Sequence, residues 1–191
     1  MNAHAFKEWS AIVAALGAGA QTIILRKGGI AEDRGGFDPA RARRFWLFPT
    51  QFHAQREKLK PAAAPFFPGT PASGPASSPR SPAVFEFYAD LVAYRFLNNW
   101  REVVALDAFH LWTEATVRER FEWAGPAGLH LLLIRVYRLR SPLAVPAGLD
   151  LGGCKSWIEL PVALAPDEAA RAAQPVLSDA AFACAKAGLG L

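Results

Sequence analysis

The chain has 191 residues, 52% of them hydrophobic and 20% charged. That length is one domain by the usual prior, and the apolar content is enough for a sizeable core, which excludes wholesale disorder. The net charge of +4 is uneven: residues 1–60 hold ten basic and five acidic side chains, while the rest is slightly acidic. A basic first third is a footprint for a polyanion, or else the ordinary solvated surface of an Arg-rich chain.

Trp9 to Leu25 is free of charge and imitates a signal peptide. Phe6, Trp9, Val13 and Leu16 nevertheless repeat at helical spacing, so an amphipathic helix ended by Gly17 and Gly19 is predicted, and neither secretion nor a membrane span is. Thr22 to Arg26 is short and β-branched, a strand, followed by a turn at Lys27-Gly28-Gly29. Phe45 to Phe48 reads as a second strand ended by Pro49, with Thr50 capping a short helix through Leu59. Residues 61–83 carry seven prolines among Ala, Ser and Gly; they read as a long mobile loop, since they cannot bury enough apolar surface to offset their ordering entropy. Val84 to Val92 alternates, with Phe85, Phe87, Ala89 and Leu91 on one face, which marks a half-buried strand. Thr113 caps a helix running to Trp123, with Glu114 in its first turn and Trp112 stapled onto Val117. Leu129 to Leu139 is the strongest strand, and Trp157 to Leu160 a short final one. The Ala-rich tail reads as two short outer helices, capped at Asp167 and Ser178.

The fold class expected is α+β, a small mixed sheet or partly closed barrel with flanking helices. Residues 1–165 form a single domain interrupted by the Pro-rich loop, and residues 166–191 a helical tail. Cys154 and Cys184 match neither a zinc-ligand spacing nor a disulfide framework, so a reducing cytoplasm and no metal are expected.

Most catalytic signatures are missing. There is no Gly-rich loop with Lys-Ser/Thr to cradle phosphates and no Gly-x-Ser-x-Gly elbow, and no Glu is followed two residues later by Lys, as a restriction-type nuclease core requires. No cofactor is expected. What remains is a set of cationic and aromatic residues at strand ends: Arg26 and Lys27, Arg44 and Trp46, Arg135 and Tyr137, with His53 able to contact phosphate. Arg pairs with phosphate bidentately and aromatic faces stack bases, so this set suits a nucleic-acid reader. The same residues also suit a core of Trp with solvated Arg neighbours.

Phe6-Lys7-Glu8-Trp9, Ala15-Leu16-Gly17, the block Gln21 to Ile30 with its Leu25-Arg26-Lys27-Gly28-Gly29-Ile30 core, Phe48-Pro49-Thr50 with Phe52-His53, and Arg135-Val136-Tyr137 together resemble an uncharacterised bacterial family, domain of unknown function 1802. The resemblance spans roughly residues 6–162. It implies no assigned activity, but the joining of some members to restriction-type endonuclease domains implies restriction or defence, with DNA as partner and a separate nuclease subunit alongside. A shorter stretch, Gly19 to Arg26, is similar to the Gly-x-Lys-x-x-Glu-x-Arg motif of ASCH domains, PUA-like barrels that bind RNA or modified nucleosides. Gly19 and Arg26 match; Ile24 stands for the Glu, and Gln21 for the Lys that amidohydrolase members use, which argues against that activity.

Three functions follow. The first is a PUA-like domain binding DNA or RNA, with a modified base among its targets, through Arg26, Lys27, Arg44, Trp46, His53, Arg135 and Tyr137. The second is a nucleoside or nucleotide hydrolase with His53 as base beside Glu32 or Asp33. The third is an interaction subunit of a nuclease complex that uses the Pro-rich loop and the tail.

Overall fold

The computed structural model describes residues 3–28, 37–51, 54–67, 84–145, 149, 151–153, 155–164 and 166–191. Its centre is a mixed sheet of seven strands: β1 (Ala3–Trp9), β2 (Ile23–Arg26), β3 (Arg44–Thr50), β4 (Val84–Leu97), β5 (Leu129–Ala144), β6 (Trp157–Leu160) and β7 (Gln174–Pro175). The order across the sheet is β2-β5-β4-β3-β1-β6, and β7 joins β5 beyond the end of β2. β1 and β3 run parallel, and the other pairs are antiparallel. Among the described residues six α-helices flank the sheet: α1 (Ser10–Gly17), α2 (Gln55–Lys58), α3 (Trp100–Val104), α4 (Glu114–Glu122), α5 (Pro166–Ala169) and α6 (Asp179–Gly188). The α+β class read from the sequence therefore holds. No helix among the described residues is long and apolar enough to cross a membrane.

The first helix needs correction. Helical spacing joined Phe6 to Leu16, but the chain is a strand through Trp9 and turns helical only at Ser10. β1 lies between β3 and β6, with Phe6 opposite both Leu47 and Trp157. Its period is two: Ala3 and Ala5 enter one core cluster and Phe6 the other. Pairing on both edges supplies partners for much of the strand's backbone, and this outweighs a weak local preference for helix. β3 continues through Pro49, where Pro49 pairs with Glu8 of β1. Thr50 does not cap a helix; its hydroxyl donates to the Glu8 carbonyl at 3.1 Å.

The long β4–β5 ladder carries two register shifts, between Phe85 and Phe87 and between Leu91 and Ala93. The first puts Phe85 and Phe87 in different core clusters, although they are two residues apart. α1 lies close on this ladder. A Cβ built on Gly17 would overlap the ring of Phe87, so only glycine permits the approach.

α4 is capped as expected: the Thr113 side chain accepts from the Thr116 N–H, and Trp112 and Val117 share the core. Residues 61–66, read as part of a loop, form a 3-10 helix with Ala63 fully buried, while residues 68–83 lie outside the described residues. The tail does contain two helices, and α6 is capped by Ser178. Asp167, however, sits inside the single turn of α5 and pairs with Arg44 instead of capping. The tail also supplies β7, and Phe182 and Leu189 of this segment join the main core.

The two edges of the sheet meet at one end. The guanidinium Nε of Arg26, at the end of β2, donates to the Ser156 hydroxyl just before β6 at 2.9 Å. Phe37 lies edge-on to His130 of β5 and stacks with Trp157 of β6, bridging the same gap.

Candidate nucleic-acid interface

Because β1 and β3 are parallel neighbours, their C-terminal ends open on the same side, and the end of β2 curls round to meet them. A cavity of about 420 Å³ lies there, closed on its far side by α4. Lys7, Arg26, Lys27, Lys58, Arg120 and Lys155 line it, against the two carboxylates of Glu8 and Glu119. Trp9 and Trp123 supply aromatic surface. Trp9 is half-buried, and Trp123 is 48% exposed at the rim.

The floor is an ionic arrangement made from β1 and α4. Glu8 is 1% exposed. Its Oε1 accepts the Trp9 N–H at 2.8 Å and lies 3.9 Å from Nη2 of Arg120. Arg120 donates through Nη1 to the Leu25 carbonyl at 2.9 Å, and its guanidinium sits 4.7 Å from the ring centres of both Trp9 and Trp112. Burial pulls its pKa down to about 10, with Arg26 adding repulsion and Glu8 acting the other way. It therefore stays charged at neutral pH. The second carboxylate oxygen of Glu8, Oε2, is buried and has no hydrogen-bond partner.

Several of the cations are anchored to backbone. Lys7 donates to the carbonyls of Gly152 and Gly153, at 2.5 and 2.9 Å, which holds the segment before β6 against β1. Lys27 donates to the carbonyls of Phe121 and Pro126, and desolvation lowers its pKa from the usual lysine value. Lys58 pairs with Glu119. Arg26 spends only its Nε on Ser156, and Lys155 is exposed at the rim. Such an arrangement attracts an anion, offers a flat aromatic face beside it, and leaves one buried acceptor underneath. Among the described residues no cluster of three His, Cys, Asp or Glu converges as a metal site would require.

A family model described as "Domain of unknown function (DUF1802)" matches residues 5–187. The chain belongs to the DUF1802 family. No curated protein matches it in sequence. Solved structures similar to this DUF1802 chain include two of the ASCH protein from Zymomonas mobilis. A serine-to-alanine variant gives a TM-score of 0.49 at 15% identity, covering 83% of this chain and 88% of that one. The ASCH protein itself gives 0.47 at 13% identity, covering 88% and 90%.

Of the seven residues singled out from the DUF1802 sequence, the fold brings Arg26 and Lys27 into the cleft. Four lie away from its lining and are engaged elsewhere. Arg44 makes a forked pair with Asp90, at 2.7 and 2.9 Å, reaches Asp167 at 3.1 Å and lies over Tyr88; its hydrogen bonds to Asp90 raise its pKa. Trp46 is fully buried, stacked on Phe85, with its indole N–H donating to the Leu164 carbonyl, so its ring offers no free face to a base. Arg135 pairs with Asp179 and covers Phe182, tying α6 to β5. Tyr137 stacks on Tyr88 at 4.8 Å across the β4–β5 ladder. His53 lies outside the described residues, as do Glu32 and Asp33, the carboxylates named with it for a hydrolase.

Sequence reasoning passed over Glu8, Trp9, Arg120 and Trp123. The helical spacing of Phe6 and Trp9 leaves Lys7 and Glu8 on a solvated side. Read as a strand, the same residues put a carboxylate on the Phe6 face of the sheet, and that alternation was the available signal.

Proposed function

We propose that this DUF1802 domain binds single-stranded nucleic acid in the cleft formed by β1, β2, β3 and α4. The observation that carries the reading is the concentration of six cations around one cavity with an exposed indole at its rim. Phosphates would be met by Lys155, Lys27 and the guanidinium N–H groups that Arg26 leaves free, and a base would stack on Trp123. The cavity of about 420 Å³ is of a size to take one nucleotide-sized group. A base inside a duplex could not enter without leaving its stack, which favours single strands over paired ones.

The test is fluorescence anisotropy of labelled single- and double-stranded DNA and RNA of equal length across a salt series. Single strands should bind more tightly, with affinity falling steeply as salt rises, and Lys155→Ala should reduce the log–log salt slope by about 0.7. No binding at low salt by the folded protein would refute the reading. We further assign this binding to restriction or defence, as the family resemblance implies, with a separate nuclease as partner. A tagged chain that retains no nuclease from its own host would refute that assignment alone.

A further inference from the structure

The exposed indole of the cleft stands on a turn with little to hold it. α4 ends at Glu122, and residues 122–127, which lead the chain back to β5, are all exposed. A Cβ added at Gly125 would meet nothing within 4 Å, so the turn stands clear of the sheet there. Ala124 has a φ of 24°, a conformation that is strained for any residue with a side chain and persists only where its surroundings impose it. The Gly128 N–H closes the turn from one side by donating to the Phe121 carbonyl at 2.9 Å. Lys27 closes it from the other: reaching over from the end of β2, its Nζ donates to the carbonyls of Phe121 and Pro126 at 3.0 and 2.5 Å. Among the described residues no other side chain bonds to the backbone of this turn. The Lys27 charge also meets the negative end of α4, where carbonyls lack helical partners. Trp123 lies inside the loop so closed, 48% exposed, and lines the same cavity as Lys27.

We propose that Lys27 is a positioning residue for Trp123: by holding this turn it fixes the indole at the rim, so that the affinity gained from a stacked base depends on Lys27. The inference rests on the nucleic-acid reading above and adds to it how stacking is controlled. An ammonium has three N–H groups; two are directed at carbonyls and the third stays available to a phosphate, so one side chain serves both halves of the site. An aromatic face already in place when the ligand arrives loses little freedom on binding. An indole on an untethered turn must be ordered first, and that ordering subtracts from the stacking energy. The effect falls on the base, which separates it from the charge that Lys27 brings to the phosphates.

The experiment compares labelled oligo(dT) with an abasic strand of equal length at low salt, on the full chain, on Lys27→Met and on Trp123→Ala. Phosphate contacts are matched within each pair, so the ratio of the two affinities reads stacking. In the wild type oligo(dT) should bind about tenfold more tightly. The ratio should fall to about threefold or less in Lys27→Met, to a similar value in Trp123→Ala, and no further in the double variant. Pro126→Gly, which loosens the turn and keeps every cation, should lower it as well. A second measurement needs no ligand. With fluorotryptophan incorporated, the fluorine resonance of Trp123, identified by its absence in Trp123→Phe, should move and narrow in Lys27→Met. Those of the buried Trp46 and Trp157 should stay in place, which shows the fold intact. An equal loss of both strands in Lys27→Met, an unchanged Trp123 resonance in that variant, or equal binding of the two strands by the wild type would overturn the inference. Each of those results leaves salt-dependent strand binding intact, whereas binding of neither strand at low salt would instead remove the broader reading.

Discussion

Replacing Arg120 with Met tests the ionic floor of the cleft as a unit. Met keeps an unbranched apolar stem but ends two atoms short of the guanidinium, so it removes the charge, the contacts of the guanidinium with Trp9 and Trp112, the 2.9 Å hydrogen bond to the Leu25 carbonyl and the countercharge 3.9 Å from Glu8. A charged hydrogen bond contributes about 1.5–3 kcal/mol, and each cation–π contact at such a site about 0.5–2 kcal/mol. Leaving Glu8 uncompensated puts the total near the range of about 3–5 kcal/mol typical of breaking a buried pair from one side. For a chain of 191 residues that corresponds to a fall in Tm of roughly 6–20 °C. Glu8→Gln in the Arg120→Met background should cost less than it does alone. At an effective dielectric of about 20, charges this far apart attract by about 4 kcal/mol, and their desolvation takes back most of it, which leaves a coupling on the order of 1–2 kcal/mol. Urea denaturation of the wild type, both single variants and the double variant gives all four numbers. A loss below about 1 kcal/mol for Arg120→Met, or strict additivity in the cycle, would mean that Arg120 does not hold Glu8 in place.

Two further predictions concern the scaffold. Gly17→Ala should destabilise by about 1–3 kcal/mol, because the new methyl meets the buried Phe87 ring and one of the two must move; Gly17→Ala combined with Phe87→Leu should recover part of the loss, and equal stability of Gly17→Ala and the wild type would refute the close approach. His110 is buried, its Nδ1 is unpartnered, and burial lowers its pKa to about 4, with Lys60 adding to the shift. The unfolded chain then binds the extra proton between about pH 6.5 and 4, so His110 should cost nothing above pH 6.5 and roughly 2–3 kcal/mol by pH 4. Stability measured from pH 7 to pH 4 should fall less in His110→Gln than in the wild type; parallel curves would exclude His110 as a source of the acid loss.

How much of this was legible depended on where the decisive contacts lie. β5 announced itself through an apolar run, β4 through alternation, and α4 through Thr113 and Glu114, because each signal is local. β1 did not, because Phe6, Trp9, Val13 and Leu16 fit a helix as well as Ala3, Ala5 and Phe6 fit a strand, and the pairing that decides between them comes from β3 and β6. The site divided in the same way. Arg26 and Lys27 stood out at a strand end, but so did Arg44 and Arg135, whose partners Asp90 and Asp179 are 46 and 44 residues away along the chain. A sequence shows which residues can carry charge to a ligand; it does not show which have already been neutralised by a distant carboxylate.

The central position of β1 also has a consequence for how the chain is made. Phe6 is synthesised before both of its partners, Leu47 on one side and Trp157 on the other. A strand made before both of its neighbours is completed only when the later one, β6, arrives, and closing such long loops slows folding. Until β6 arrives, one edge of β1 stays open as a template for any other extended chain.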